Sequence, residues 1–198
     1  MLNDFFKKYN CIAGIDEAGR GPLAGPVVAG VVLVDKKSFS KLKKLNLKDS
    51  KKINPEKRKE ICKSIKKNFS WSAGQSDHKT IDRINILQAS FLAMKRSLTG
   101  LKIKPDLIIL DGKFKIPNLS IKQIAETKAD ETIPLVSAAS IIAKVFRDEL
   151  IEKLGEIYPQ YLFEKHKGYG TKEHLDALKK FGPCPIHRKS FKPVKNFQ

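Results

Sequence analysis

The sequence predicts an α/β fold, a mixed sheet with helices packed on its faces. Three observations carry this. β-Branched apolar runs are short enough to be strands, apolar stripes at helical spacing lie among them, and no repeat or low-complexity linker divides the chain. Cys11-Ile-Ala-Gly-Ile-Asp16 and Pro26-Val-Val-Ala-Gly-Val-Val-Leu-Val34 read as two strands separated by a turn rich in Gly and Pro, a hairpin-like opening. Residues 36–52 are lysine-rich and read as irregular. Pro55 then occupies the first turn of a helix running to about Phe69, and a third strand is expected near Trp71 to Gln75. Thr80 or Asp82 is expected to cap the next helix, in which Ile84, Leu87, Phe91, Met94 and Leu98 recur every three or four residues as a core-facing stripe.

After Pro105, Asp106-Leu-Ile-Ile-Leu-Asp111 reads as a fully buried strand ending on a carboxylate before Gly112, and Ile121 to Ala125 as another strand. Beyond Pro134, Ser137 is expected to cap a long helix whose inner face carries Ala138, Ile141, Ile142, Val145, Phe146 and Leu150. At 198 residues and 41% apolar, the chain is expected to form a single domain with residues 186–198 as a short basic tail.

No apolar run is long enough to span a membrane, and the N-terminus does not read as a secretory leader. Cys11, Cys62 and Cys184 show no C-x-x-C spacing, which suits free thiols in the cytoplasm and argues against a zinc site. The formal charge of +18 invites a polyanionic partner, with nucleic acid the first candidate. Almost all of the basic residues are lysine, so an AT-rich coding bias explains the excess equally well. A noncatalytic RNA- or ribosome-binding protein also fits the charge, but leaves the strand-end carboxylates without a purpose.

Those carboxylates are the chemistry-bearing feature. Asp16, Glu17 and Asp111 stand at the ends of apolar strands beside glycines, where burial without a cation is costly. Oxygen ligands with no Cys or His partner suit Mg²⁺ or Mn²⁺. Neighbours on a strand point to opposite faces, so Asp16 and Glu17 share a site only where the strand ends, bulges or offers a carbonyl. Asp130, read in a loop before the long helix, is either a further ligand or a turn former, while Asp148 is explained by an ion pair with Lys144 one turn earlier. Gly19-Arg20-Gly21 is either a tight turn or a backbone-docking loop with a phosphate-gripping arginine. His166-Lys-Gly-Tyr169-Gly-Thr-Lys-Glu-His174 reads as a basic loop ending at a Thr171 cap. Its two histidines are either ordinary polar residues or the acid and base of a metal-independent cleavage.

Taken together, Gly14-Ile-Asp-Glu-Ala-Gly-Arg-Gly-Pro-Leu-Ala-Gly-Pro26, Asp49-Ser-Lys51, Leu110-Asp-Gly112, Lys128-Ala-Asp130, Ser137-Ala-Ala-Ser-Ile-Ile-Ala-Lys-Val145 and His166-Lys-Gly-Tyr-Gly170 resemble ribonuclease HII, in order, from about residue 11 to residue 193. Arg20 is similar to that branch and not to ribonuclease HIII, which typically has lysine there. The resemblance implies an RNase H-like fold with a mixed five-stranded central sheet flanked by helices. It implies a four-acid, two-metal site of Asp16, Glu17, Asp111 and Asp130, holding Mn²⁺ or Mg²⁺ as cofactor. Gly19, Arg20 and Gly21 would contact the ribose 2′-hydroxyl and neighbouring backbone, Tyr169 would stack on the adjoining deoxyribose, and Lys51, Lys144 and Arg147 would give substrate-backbone or active-site support. The implied substrates are RNA–DNA hybrid and duplex DNA containing ribonucleotides. Cleavage is expected on the 5′ side of the ribonucleotide, by a monomeric cytoplasmic enzyme serving DNA repair and replication.

Overall fold

The computed structural model describes residues 2–45, 47 and 53–197. A short helix α1 (Leu2–Phe5) leads into β1 (Cys11–Ala18) and β2 (Val27–Asp35), followed by α2 (Lys36–Lys43), α3 (Pro55–Asn68), β3 (Ser70–Ser76) and α4 (His78–Thr99). Then come β4 (Leu107–Asp111), β5 (Lys122–Glu126), α5 (Ala129–Thr132), the long α6 (Pro134–Ile157), α7 (Phe163–His166) and α8 (Lys172–Phe181). The five strands form one mixed sheet in the order β3-β2-β1-β4-β5. β1, β2 and β3 pair antiparallel, whereas β4 joins β1, and β5 joins β4, in parallel.

Both faces of this sheet are covered, and the period of two sorts the side chains between them. Ile12 on β1, Val32 and Val34 on β2 and Ile109 on β4 pack with Ala138, Ala139 and Ile142 of α6. The alternate residues, Ala13 and Ile15, Val31 and Leu33, Ile108 and Leu110, pack with Phe91 and Met94 of α4. Helix α6 lies against the sheet backbone itself. A Cβ on Gly30 would come within 2.3 Å of the Ala139 carbonyl oxygen and 2.7 Å of the Ala143 nitrogen.

Several local expectations are corrected. Residues 36–43 are helical: Asp35 and Ser38 form a reciprocal capping box, and Phe39 and Leu42 are buried beneath a lysine-covered outer face. Asp77, not Thr80 or Asp82, caps α4 by accepting the Thr80 N–H at 2.8 Å. The helix breaks at Asn85 (φ 64°), whose side chain recaps it by accepting the Gln88 N–H at 3.1 Å. Ser137 lies inside the first turn of α6, where its hydroxyl donates to the Asp130 carbonyl at 2.6 Å.

Residues 186–198 are not a loose basic tail over their described part. His187, Arg188 and Val194 are fully buried, and the Asp82 carboxylate accepts the Lys189 and Ser190 N–H groups at 3.0 and 2.9 Å. With Leu23, Ile151, Tyr161, Phe163 and Leu178, Ile186 and Val194 build a separate apolar cluster.

The close approach at Gly30 predicts that Gly30→Ala forces α6 off the sheet. A loss of about 1–3 kcal/mol is expected, read as a lower urea midpoint with an unchanged m-value.

Candidate active site

The parallel pairing of β1 with β4 stops at Ile15 opposite Leu110, while β1 continues to Ala18 beside β2 alone. Asp16 and Glu17 therefore occupy a strand edge open on one side, and Asp111, the last residue of β4, stands beside the opening. This resolves the problem of two neighbours pointing apart: beyond the end of β4 a side chain from either face reaches one cleft. That cleft, of about 380 Å³, is lined by Asp16, Glu17, Asp111 and Asp130 together. Asp130 lies in the short helix α5, not in a loop, and is buried. Asp111 Oδ1 accepts the Ala129 N–H at 2.8 Å, tying the end of β4 to the start of α5.

The electrostatics are those of crowded acids. Burial raises the Asp16 carboxyl well above the usual range, and the charges of Glu17 and Asp111 push the same way against a hydrogen bond from Ser140. Burial also raises Glu17, with Arg20 opposing the shift and Asp111 adding to it. Arg20 Nη1 meets Glu17 Oε1 at 3.0 Å, but Glu17 Oε2 is buried without a hydrogen-bond partner among the described residues. No three His, Cys, Asp or Glu side chains form a ready-made cage among the described residues. A set made only of carboxylate oxygens, one of them buried and unsatisfied, fits hard divalent cations such as Mg²⁺ or Mn²⁺.

Gly19, Arg20, Gly21 and Tyr169 line the same cleft, as does Lys144, which also meets Asp148 at 2.9 Å. Lys51 lies outside the described residues. Of the two roles expected for Arg147, support of the substrate backbone or of the active site, its position suits the second. It is completely buried behind the loop, donating to the carbonyls of Pro26 (3.2 Å) and Ala24 (3.4 Å), a placement that fits support of the active site and not direct contact with a substrate. Gly19, at φ +94°, lies so close to it that a Cβ would fall 1.9 Å from Arg147 Nε. Arg58 and Ser140 also line the cleft and were not singled out from the sequence. Ser140 follows Ser137 by one helical turn, a spacing that signals it.

The two histidines of the basic stretch are neither loose polar residues nor an acid–base pair. His166 ends α7, His174 lies in α8, and their buried rings stack at 4.6 Å between centroids. His166 receives the Gly168 N–H on Nδ1 and donates from Nε2 to the Tyr161 carbonyl at 2.8 Å. The Cys184 N–H donates to His187 Nδ1 at 2.9 Å, which leaves the His187 proton on Nε2. That Nε2 faces His174 Nε2 at 3.0 Å, and His174 Nδ1 in turn donates to the Tyr169 carbonyl at 2.9 Å. Every imidazole nitrogen of the three rings is thus engaged, and a metal-free cleavage by His166 and His174 has no free base to start from.

A mixed five-stranded sheet with acids gathered at the ends of β1 and β4 defines a nuclease of the RNase H-like fold. The ribonuclease HII family model matches residues 13–194, and the chain belongs to that family. It is 50% identical over 184 residues to ribonuclease HII of Caldicellulosiruptor bescii, spanning 92% of this chain and 87% of the relative. Ribonuclease H2 of Pyrococcus horikoshii superimposes with a TM-score of 0.78 at 32% identity, over 94% of this chain and 96% of the other. Bst-RNase HIII in complex with Mn²⁺ shares the fold at a TM-score of 0.74 and 22% identity, over 94% and 68% of the two chains. The protein is accordingly a ribonuclease H, an enzyme that cleaves RNA in RNA–DNA hybrids.

The histidine chain makes a pH prediction. Burial lowers both His174 and His187 from 6.5 to about 4, so the fold keeps them neutral while the unfolded chain takes up protons below 6.5. Their stabilisation is complete above about pH 6.5 and falls away as pH drops toward 4, by about 1.4 kcal/mol per pKa unit of each shift. Asp16 and Glu17, shifted up, act in the opposite sense. Urea unfolding between pH 8 and 4 is expected to show a smaller acid loss in His187→Gln than in the unaltered protein.

Proposed function

We propose that the protein hydrolyses the phosphodiester on the 5′ side of a ribonucleotide in duplex DNA, as well as the RNA strand of hybrids, leaving 3′-hydroxyl and 5′-phosphate ends. One observation carries this: four carboxylates from separate stretches line the same cleft as the glycine-framed Arg20 loop and Tyr169. Asp16, Glu17, Asp111 and Asp130 would hold Mn²⁺ or Mg²⁺. A pair of such ions, when bound, would activate a water and stabilise the leaving 3′-oxygen.

The remaining work belongs to side chains and backbone of this chain. Gly19, Arg20 and Gly21 read the 2′-hydroxyl, the group that separates RNA from DNA. In this reaction it is a handle for recognition and not the nucleophile. Arg20, half exposed, reaches the phosphate backbone, and Tyr169, exposed at the mouth of the cleft, offers a face for the adjoining deoxyribose. Lys144 contributes charge beside the scissile phosphate, and Lys51 a further backbone contact.

All four acids and both recognition loops come from one chain, which supports action as a monomer. Among the described residues no helix is long and apolar enough to cross a membrane, and the three free cysteines support a cytoplasmic setting. Removal of ribonucleotides from DNA during repair and replication follows from the substrate.

Three measurements test this reading. Asp111→Asn is expected to lower turnover at least about 100-fold, while binding of the duplex persists in a gel-shift titration; unchanged turnover removes the carboxylate site from the chemistry. A DNA duplex with one ribonucleotide, incubated with and without Mn²⁺ or Mg²⁺, is expected to be cut only with the ion and to yield 5′-phosphate ends. Replacing that ribose by its 2′-methoxy analogue should stop cleavage, and a cyclic phosphate product would refute the mechanism.

A further inference from the structure

The segment around His187 and Arg188 lies outside the cleft and contributes no lining to it, yet it touches both elements that face the substrate. Arg188 is fully buried and spends its guanidinium on backbone: Nε donates to the Gly25 carbonyl at 3.0 Å, Nη1 to Arg20 at 2.8 Å and Nη2 to Gly19 at 2.6 Å. In a trans peptide the C=O and the following N–H point in opposite directions. Holding the carbonyls of Gly19 and Arg20 inward therefore turns the Arg20 and Gly21 N–H groups to the outer side of the loop, where Arg20 and Gly21 are exposed. The planar fork fixes two successive peptide planes at once, which a point charge on a flexible stem does not do.

One residue earlier, His187 governs the other element. Through His174 it fixes the proton that is donated to the Tyr169 carbonyl. Short backbone pairings stitch the three segments together. Arg188 N–H donates to Leu23 (2.8 Å), Gly25 N–H to Ile186 (3.0 Å), and Leu23 N–H to Gly168 (2.8 Å). His187 bridges Ala24 in antiparallel fashion. Arg147 completes the contact, its guanidinium 5.9 Å from the centroid of the Tyr169 ring and its Nε against Gly19.

We propose that His187 and Arg188 are positioning residues that lock the Gly19–Gly21 loop and Tyr169 into one rigid unit, and that this unit sets discrimination for the ribose 2′-hydroxyl. The inference rests on the ribose-recognition reading above. It assigns a role to two residues that touch neither substrate nor ion. A loop held at two successive carbonyls, with a third contact at Gly25 just beyond it, presents its amides at fixed positions before substrate arrives, and a displacement of about 1 Å in such a site costs on the order of 100-fold in rate.

Arg188→Lys keeps a buried cation and loses the fork. Cleavage is compared on two duplexes, one bearing a single 2′-hydroxyl and the other a 2′-fluoro group at that position, with melting temperature and circular dichroism as checks on the fold. A positioning role predicts that the ratio of kcat/KM between the two substrates falls by about tenfold or more, about 1.4 kcal/mol of discrimination, while duplex affinity stays within about threefold. A purely structural role lowers both rates alike, and an unchanged ratio overturns the proposal. If Arg188→Lys does not fold, native-state hydrogen exchange on the unaltered protein decides. Residues 19–25, 168–171 and 184–188 are expected to open as one cooperative unit, and separate opening overturns the clamp. This second measurement needs no activity, so an unaltered protein that fails to cut a lone ribonucleotide refutes the proposed function and leaves the clamp standing or falling by exchange.

Discussion

Mutual repulsion among buried carboxyl groups is the constraint around which the site is arranged. Asp16 is nearly inaccessible to water and bears the charges of Glu17 and Asp111 as its neighbours; Asp130 closes the same cleft. Among the described residues Arg20 meets Glu17, and it is itself half exposed and screened by solvent. The carboxylates stay together because the backbone leaves them little choice. β1 is held on one side by β2 through Ala18, Asp111 is the last paired residue of β4, and Ser137 fastens the Asp130 carbonyl to the first turn of α6. The rigid sheet thus holds negative charge together against its own repulsion, which a bound divalent cation would relieve. The rest of the molecule is strongly basic, so an anionic duplex is drawn to the surface while the cleft within it is negative.

The buried arginines show the complementary arrangement. Neither Arg147 nor Arg188 has a carboxylate partner within ion-pair distance among the described residues, and both bind carbonyl oxygens of the loop that precedes β2. Burial of an unpaired charge is unfavourable; Arg188 answers it with three carbonyl acceptors and, pushed down to about 9 by burial and by Arg147, remains cationic at neutral pH. Arg147 answers it less completely, since its Nη1 is buried without a partner. Charge is concentrated on both sides of the Gly19–Gly21 loop, negative in the cleft and positive behind it. A loop between the two fields, with its peptide dipoles fixed, is a surface suited to a hydroxyl flanked by phosphates.

How much of this was legible in the sequence depends on the range of the interaction. The sheet, the two helices α4 and α6 and the strand-end carboxylates follow from local pattern, because alternation and helical period are written within ten or twenty residues. Helix α2 was hidden because lysines dominate its composition, although Asp35 and Ser38 already spell a capping box and Phe39 and Leu42 lie one turn apart. The convergence of Asp130 with Asp16 was visible through family resemblance and not through pattern, since nothing near Asp130 distinguishes a ligand from a turn former. Arg188 and His187 were invisible for a stricter reason: the carbonyls that Arg188 holds lie more than 160 residues away, and a basic segment near the C-terminus reads as solvated surface.

The two halves of the site differ in what they demand of the protein. Carboxylates that await a cation tolerate some looseness, because ligand and ion adjust to each other as coordination forms. Telling a hydroxyl from a hydrogen on one sugar offers no such adjustment: a single polar group has to meet donors already in place, and any slack in the loop lets water take that place instead. This is why the carboxylates can be carried by strand ends and a single turn of helix, whereas the Gly19–Gly21 loop is backed by two fully buried arginines and Tyr169 by a chain of imidazoles with every proton assigned. Packing that elsewhere would serve only stability here fixes the orientation of individual peptide bonds, and on the proposed reading selectivity for ribose would then depend on residues remote from the reacting phosphate.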